Sequence, residues 1–469
     1  MIELTYRQEN GNILLFTNIY FTNKVVFYNK CSKFAPYKTD TMNITERNQI
    51  INLVKHEVVP AIGCTEPIAV ALCAAYATET LGCRPEKIDV HLSANVLKNA
   101  MGVGIPGTGM IGLPIAIALG ALIGKTEYQL EVLKDCNPQE VERGKEMIDA
   151  NCIDIKLKEG ITEKLYIEVT CQANGHKATA IIAGTHTNVR YLAYDDDVRI
   201  NNAATSSQTT DEECVELTMQ RVWEFATTAP LEEIEFIKDS ARLNKAAAEF
   251  SLKGNYGHCL GKTMRGKLEQ SIMGDNTFTR VLSMTSAACD ARMAGAMVPV
   301  MSNSGSGNQG IAATMPVAIF AEENGNNDEQ FIRALMLSHL TTIYIKQTLG
   351  RLSALCGCVV ATTGASCGIT YLMGGNYENI TYAVKNMIAN LTGMICDGAK
   401  PSCALKITGS VANCMLAAML AMEGRYVTAL EGIIDEDVDR CIRNLTRIGS
   451  QGMNETDSLV LDIMTHKGC

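Results

Sequence analysis

The chain contains no block of lysine or arginine. Its 469 residues carry 41 basic and 51 acidic side chains, a formal net charge of -10. The positive footprint that a phosphate backbone or an anionic membrane surface requires is missing, so nucleic acid and membrane are not expected as partners, and a small molecule is. Histidine is scarce as well: seven residues, at 56, 91, 176, 186, 258, 339 and 466, with no HExxH and no clustered set. That argues against a second metal centre. No two tight cysteine pairs occur at ribbon spacing, which makes a structural zinc site unlikely. The stretch 95–109 holds G-x-G but not the full dinucleotide fingerprint, and a nucleotide cofactor is not indicated. Long apolar runs are also lacking. The start "ILLFTNIYFTNKVVFY" (13–28) is broken by Asn, Thr and Lys and has no A-x-A-like exit, so no secretory leader is read there. Residues 357–375 have the length of a membrane span, but their Gly, Thr and Ser content reads as a buried helix or loop pair.

What the chain does have is cysteine, eighteen residues scattered over its length. Without a leader they read as reduced cytoplasmic thiols, some of them metal-bound, and not as a disulfide scaffold. The length allows more than one domain. Residues 1–41 stand apart, rich in Asn, Tyr, Phe and Thr with no helical period; the functional chain is expected to begin at Met42, where an amphipathic pattern starts. Further on, "KIDVHLSANV" reads as a strand, "MGVGIPGTGMIG" (101–112) as a glycine-rich loop, and 137–150 as a helix capped by Asn137 with Pro138 in its first turn. "IDIKLKE", "KLYIEVTCQA", "HKATAIIAGTH" and "VRYLAYDD" read as four successive strands. After a polar linker (201–210) helix signals dominate, with Thr210 and Glu213 as a capping box, and from 281 onward small residues crowd the helices. The predicted fold is α+β, with a helical domain made of 42–84 and 206–469 and an α/β domain with an antiparallel meander at 85–205.

"CDGAKPSC" (396–403) places two thiols around a lysine and a proline. A disulfide would be unusual in a reducing compartment. Buried core thiols remain, or an iron–sulfur cluster, whose ligands can come from distant segments; spacing does not choose between them. "TEPIAVALCAAYA" reads as a helix opening with Thr65 as N-cap and Pro67 in the first turn. Cys64 then lies beside the positive end of a helix dipole, where a thiol pKa falls; a small buried residue before a helix is the plainer account. "SGSGNQG" (304–310) suits either a plain loop or a nest of backbone N–H groups for an anion.

The stretches "LCGCVVATTGASCGITYLMGG" (355–375), "NMIANLTGMICDGAKPSCALK" (386–406) and "SNSGSGNQGIAATMPV" (302–317) together resemble the iron–sulfur L-serine dehydratase alpha family. The resemblance is closer to its cysteine desulfidase branch, whose hallmark is similar to "HEVVPAIGCTEPIAVALCAA" (56–75). It runs from about Met42 to near the C-terminus. It implies a helical catalytic core around a [4Fe–4S] cluster held by Cys356, Cys396 and Cys403, with one iron open to substrate. Cys358 competes with Cys356 for the ligand role, and Cys367 is read as core. Cys64 is the implied base for the substrate's α-proton, with Glu66 the runner-up. Ser304, Ser306, Asn308 and Gln309 are implied contacts for an amino-acid carboxylate or ammonium, with Lys98 and Asn99 facing the site. The implied activity is a cytoplasmic lyase converting L-cysteine to hydrogen sulfide, ammonia and pyruvate. L-Serine dehydration is the alternative, and a non-catalytic iron–sulfur sensor a third reading. A homodimer is the candidate assembly. Cys469, behind Gly468, is either a cap on the open iron or a bystander.

Overall fold

The computed structural model describes residues 42–467, apart from 162, 203–214 and 351, together with the backbone of the strands Ile2–Glu9 and Asn12–Ile19. Those two strands pair antiparallel, Ile2 opposite Ile19, inside a compact unit that spans Met1–Thr41. Met42–Cys469 is the other unit. It is an α+β fold. The Thr210–Glu213 capping box and Cys469 lie outside the described residues; the following helix, Met219–Thr228, starts later than expected, with the Thr218 side chain accepting from the Arg221 amide.

A six-stranded sheet runs in the order Ile153–Leu157, Lys87–Leu92, Tyr166–Ala173, His176–Ala183, Val189–Tyr194, Asp197–Asn201. Of its last four strands, Tyr166–Ala173, His176–Ala183 and Val189–Tyr194 form the expected antiparallel meander, and Asp197–Asn201, which the sequence reading did not single out, extends it. Its first two correct the sequence reading. Lys87–Leu92 lies between Ile153–Leu157 and Tyr166–Ala173, parallel to the former and antiparallel to the latter. The intervening helices Leu113–Ile123 and Pro138–Asp149 make the crossover long enough for parallel pairing. "KIDVHLSANV" is also not one strand: it ends at Leu92, and Ala94–Ala100 is helical. Asn137 caps its helix as predicted, accepting from the amides of Gln139 and Glu140.

Along Tyr166–Ala173 alternate residues are buried, and Ile167, Val169 and Cys171 share a core with the Thr65–Leu81 helix. That helix is apolar all round and almost wholly buried, as expected when both of its faces are covered. Leu113–Ile123 crosses it at Gly120, where a Cβ would stand 2.3 Å from the Ala71 carbonyl oxygen. A second core belongs to the helices Thr277–Met293, Gly307–Asn324, Asp328–Leu349, Gly357–Leu372, Tyr377–Leu391 and Cys403–Met422. Gly357–Leu372 is the buried helix anticipated for 357–375. Cys403–Met422 is long and apolar enough to cross a membrane, but half of it is packed inside the protein.

One short element ties the parts together. Pro60–Ile62 pairs antiparallel with Pro299–Met301, Pro299 opposite Ile62 and Met301 opposite Pro60. The buried Asn244 side chain holds this ribbon, accepting from the Met301 amide at 2.8 Å and donating to the Met301 and Gly310 carbonyls.

Candidate active site

The ribbon delivers two segments, 64–66 and 302–306, to one cavity. Cys64 itself, and not Thr65, is the N-cap of the Thr65–Leu81 helix. Thr65 instead donates its hydroxyl to the Gly305 carbonyl at 3.0 Å and to Glu66 at 3.1 Å. The Cys64 thiol donates to Glu66 Oε2 at 3.0 Å, and Asn99 Nδ2 donates to Glu66 Oε1 at 3.2 Å. Burial pushes the Cys64 thiol well above the ordinary thiol value, and the Glu66 charge adds to it. The expectation that the helix end would lower it fails for this reason. Burial also works against the charged form of Glu66, yet neighbouring His186, the bonds it accepts and the charge of Arg292 outweigh that and bring it below the ordinary carboxylate value. The resting pair is therefore a neutral thiol donating to an ionised carboxylate.

Across the ribbon, Ser304 takes a left-handed backbone with φ 49° and Gly305 follows at 78°. The turn is braced throughout. Ser304 N donates to the Glu57 carbonyl, Ser306 N to the Asn303 carbonyl, and Ser304 Oγ to Asn303 Oδ1. The Asn303 amide reaches His339 Nδ1 and its carbonyl, while Thr314 meets His339 Nε2 at 2.9 Å. Burial takes His339 down to about 3, so it is neutral. The amides of Ser304 and Ser306 are thus committed, and the part of the expected nest that stays open is the first turn of Gly307–Asn324, whose amides have no carbonyl to bond within the helix. Asn308 and Gln309 follow in the first turn of Gly307–Asn324. Asn308 Oδ1 accepts from Arg292 Nη1 at 3.0 Å and from the Cys289 thiol at 3.6 Å.

The facing wall is sulfur. Leu355 and Ile395 form an antiparallel bridge, with Cys356 N donating to the Met394 carbonyl and Cys396 N to the Ala354 carbonyl. Cys356 then caps Gly357–Leu372, and Cys403 opens Cys403–Met422. Between the thiols Gly398 turns at φ 88°, where a Cβ would meet the Lys98 carbonyl oxygen at 2.2 Å. Cys356, Cys358, Cys396 and Cys403 all line the cavity with Cys64, Glu66, Asn99, Ser304, Ser306, Asn308 and Gln309. A hydrogen bond from the Cys358 thiol lowers Cys356 to about 7, whereas burial raises Cys403 to about 11.

Among the described residues no three His, Cys, Asp or Glu side chains close on the position of a single metal ion. An iron–sulfur cage asks for a different arrangement, separate thiolates around its corners, each on its own iron, and soft sulfur donors suit it. Three cavity-lining thiols on two segments joined by a backbone bridge fit such a group. Cys367 lies inside the buried helix away from the cavity, in agreement with a core role.

Lys98 is the predicted contact that the structure places elsewhere. Its side chain is buried, its ammonium binds Asp457 and sits 3.4 Å from the Cys396 carbonyl, and it does not line the cavity. It braces the thiol loop against the Asn454–Thr465 helix instead. Sequence reasoning missed Arg292, His186 and Lys346, which do line the cavity. "CDARMAGAM" around Arg292 carries no motif, and only the packing of its helix shows where it belongs.

Residues 127–462 match the serine dehydratase alpha chain family. A UPF0597 protein of Bacteroides fragilis is 70% identical over 428 residues, which are 91% of this chain and 100% of the relative. One from Porphyromonas gingivalis is 54% identical over 432 residues (91% and 100%), and one from Oleidesulfovibrio alaskensis 47% identical over 423 (90% and 99%). The family match takes in the Ser304 turn, Arg292 and every thiol of the sulfur wall, while Cys64, Glu66 and Asn99 precede it. On that match the chain belongs to the serine dehydratase alpha chain family.

Proposed function

We propose that the protein is an iron–sulfur-dependent lyase that degrades L-cysteine to hydrogen sulfide, ammonia and pyruvate by α,β-elimination. One observation carries this reading: the Cys64–Glu66 pair and the thiols of Cys356, Cys396 and Cys403 line one cavity. A [4Fe–4S] cluster held by those three thiols would supply a Lewis-acidic iron for the substrate's sulfur and carboxylate. The chain's own groups do the rest. Glu66 is ionised, and the Cys64 proton passes to it in the same step in which the sulfur takes the α-proton of the substrate. The electron pair left on the α-carbon becomes the C=C bond as the β-carbon–sulfur bond breaks, and hydrosulfide departs. The aminoacrylate tautomerises to an imine, which water hydrolyses to pyruvate and ammonia. Ser304 and Ser306 offer hydroxyls to the substrate's polar groups, and Asn99 fixes Glu66 for its proton transfer.

The family description favours a second reading, L-serine dehydration, in which the same residues act and hydroxide is the leaving group. Anaerobic purification followed by pyruvate and sulfide assays on both amino acids separates the two. A larger kcat/KM for L-cysteine is expected; a larger value for L-serine moves the assignment to the second reading, and zinc without iron in the purified protein overturns both.

A further inference from the structure

Among the described residues Arg292 is a buried cation without an ion-pair partner. Its side chain is 3% exposed, near the end of Thr277–Met293. Nη1 donates to the neutral Asn308 side chain, and buried Nε has no acceptor. Among the described residues it forms no ion pair; Glu66 senses its charge without pairing to it. The start of the neighbouring helix is shaped around it, since a Cβ at Gly307 would stand 2.3 Å from Nε. A guanidinium removed from water without a counter-charge is costly, and a cavity wall is where an arriving anion removes that cost. The Ser304 and Ser306 amides are already bonded, to the Glu57 and Asn303 carbonyls, and are not open to an anion. Beside Arg292 the buried Gln309 Oε1 is an acceptor without a donor.

The geometry points to Arg292 as the residue that binds the substrate's α-carboxylate, with Gln309 Oε1 accepting from its α-ammonium, so that the site selects free α-amino acids over their amides, esters and peptides. This rests on the elimination reading and deepens it, giving the carboxylate a charged protein partner besides the iron that reading assigns to it. Arg292 is a specificity residue here and takes no proton.

The test uses the anaerobic, iron-loaded full chain and two probes that divide the substrate: 3-mercaptopropionate, which keeps the carboxylate and lacks the ammonium, and cysteamine, which does the reverse. Binding is measured calorimetrically, without turnover. Arg292→Met should weaken 3-mercaptopropionate by about 10- to 100-fold while cysteamine stays within about twofold, the loss of one charge-assisted hydrogen-bonding partner. Arg292→Lys, which keeps the charge, should fall between Met and wild type, and guanidinium added to Arg292→Ala should restore affinity for 3-mercaptopropionate alone. Equal losses for the two probes, or an unchanged carboxylate probe, overturn the inference. The elimination reading fails separately: carboxylate-selective binding through Arg292 in a protein that eliminates neither amino acid sinks the reaction and leaves the anion site standing.

Discussion

The two walls of the cavity are built on opposite plans. The sulfur wall comes from residues 355–403, two segments held by a backbone bridge, and its donors are soft thiols. The polar wall gathers Cys64, Glu66, Asn99, Arg292 and the Ser304 turn from four separate stretches, and it carries charge, one buried carboxylate and one buried guanidinium. On the proposed reading, a thiol lost from the sulfur wall takes the metal with it, whereas a side chain lost from the polar wall leaves the metal and stops the chemistry, and this separation gives the comparison its sharpest tests.

The largest effect belongs to the sulfur wall. Cys396→Ala or Cys403→Ala should abolish both bound iron and elimination, read by iron analysis and visible absorption of anaerobic protein. Cys358→Ala should retain iron where Cys356→Ala does not, and the reverse pattern would exchange their roles. Next comes Cys64→Ala, expected to keep its iron and lose about 10²- to 10⁴-fold in rate, the range for a general base. Full activity in that variant would move the base to Glu66.

The same pair predicts a pH profile. Glu66 lies below its ordinary 4.5 and Cys64 above its ordinary 9.0, so the pair carries one negative charge across the range between. The wild-type kcat/KM should show no limb from this pair there. Glu66→Gln removes the acceptor, the Cys64 proton must go to solvent, and the rate should rise about tenfold per pH unit toward alkaline pH. A flat profile in Glu66→Gln would deny Glu66 its part. The smallest effect is on stability: Asn244→Ala takes the acceptor from the Met301 amide and the donor from the Met301 and Gly310 carbonyls, and should cost about 1–3 kcal/mol, visible in denaturation, with iron retained.

The sulfur wall and the Ser304 turn were legible in sequence because each lies within a continuous stretch whose residue types recur together. The rest depends on contacts between distant segments. Three-residue strands at 60–62 and 299–301 are too short to show a period, yet the segments that follow them meet where Thr65 bonds the Gly305 carbonyl. The placing of Lys87–Leu92 between two later strands is likewise a choice among pairings that alternation alone does not make. Thr65 has the chemistry of an N-cap but is drawn away by the Gly305 carbonyl, a partner 240 residues on. Lys98 leaves the site and Arg292 enters it for a similar reason: the lysine finds Asp457 on a helix near the C-terminus, and the arginine finds the neutral Asn308 at the cavity.

The bridge between Leu355 and Ile395 is made of main-chain hydrogen bonds, and these owe nothing to iron. Main-chain groups are carried by every residue, so replacing the side chain of Cys356 or Cys396 removes a thiol and leaves the bridge standing. A variant of this wall is therefore expected to lose chemistry and keep its fold.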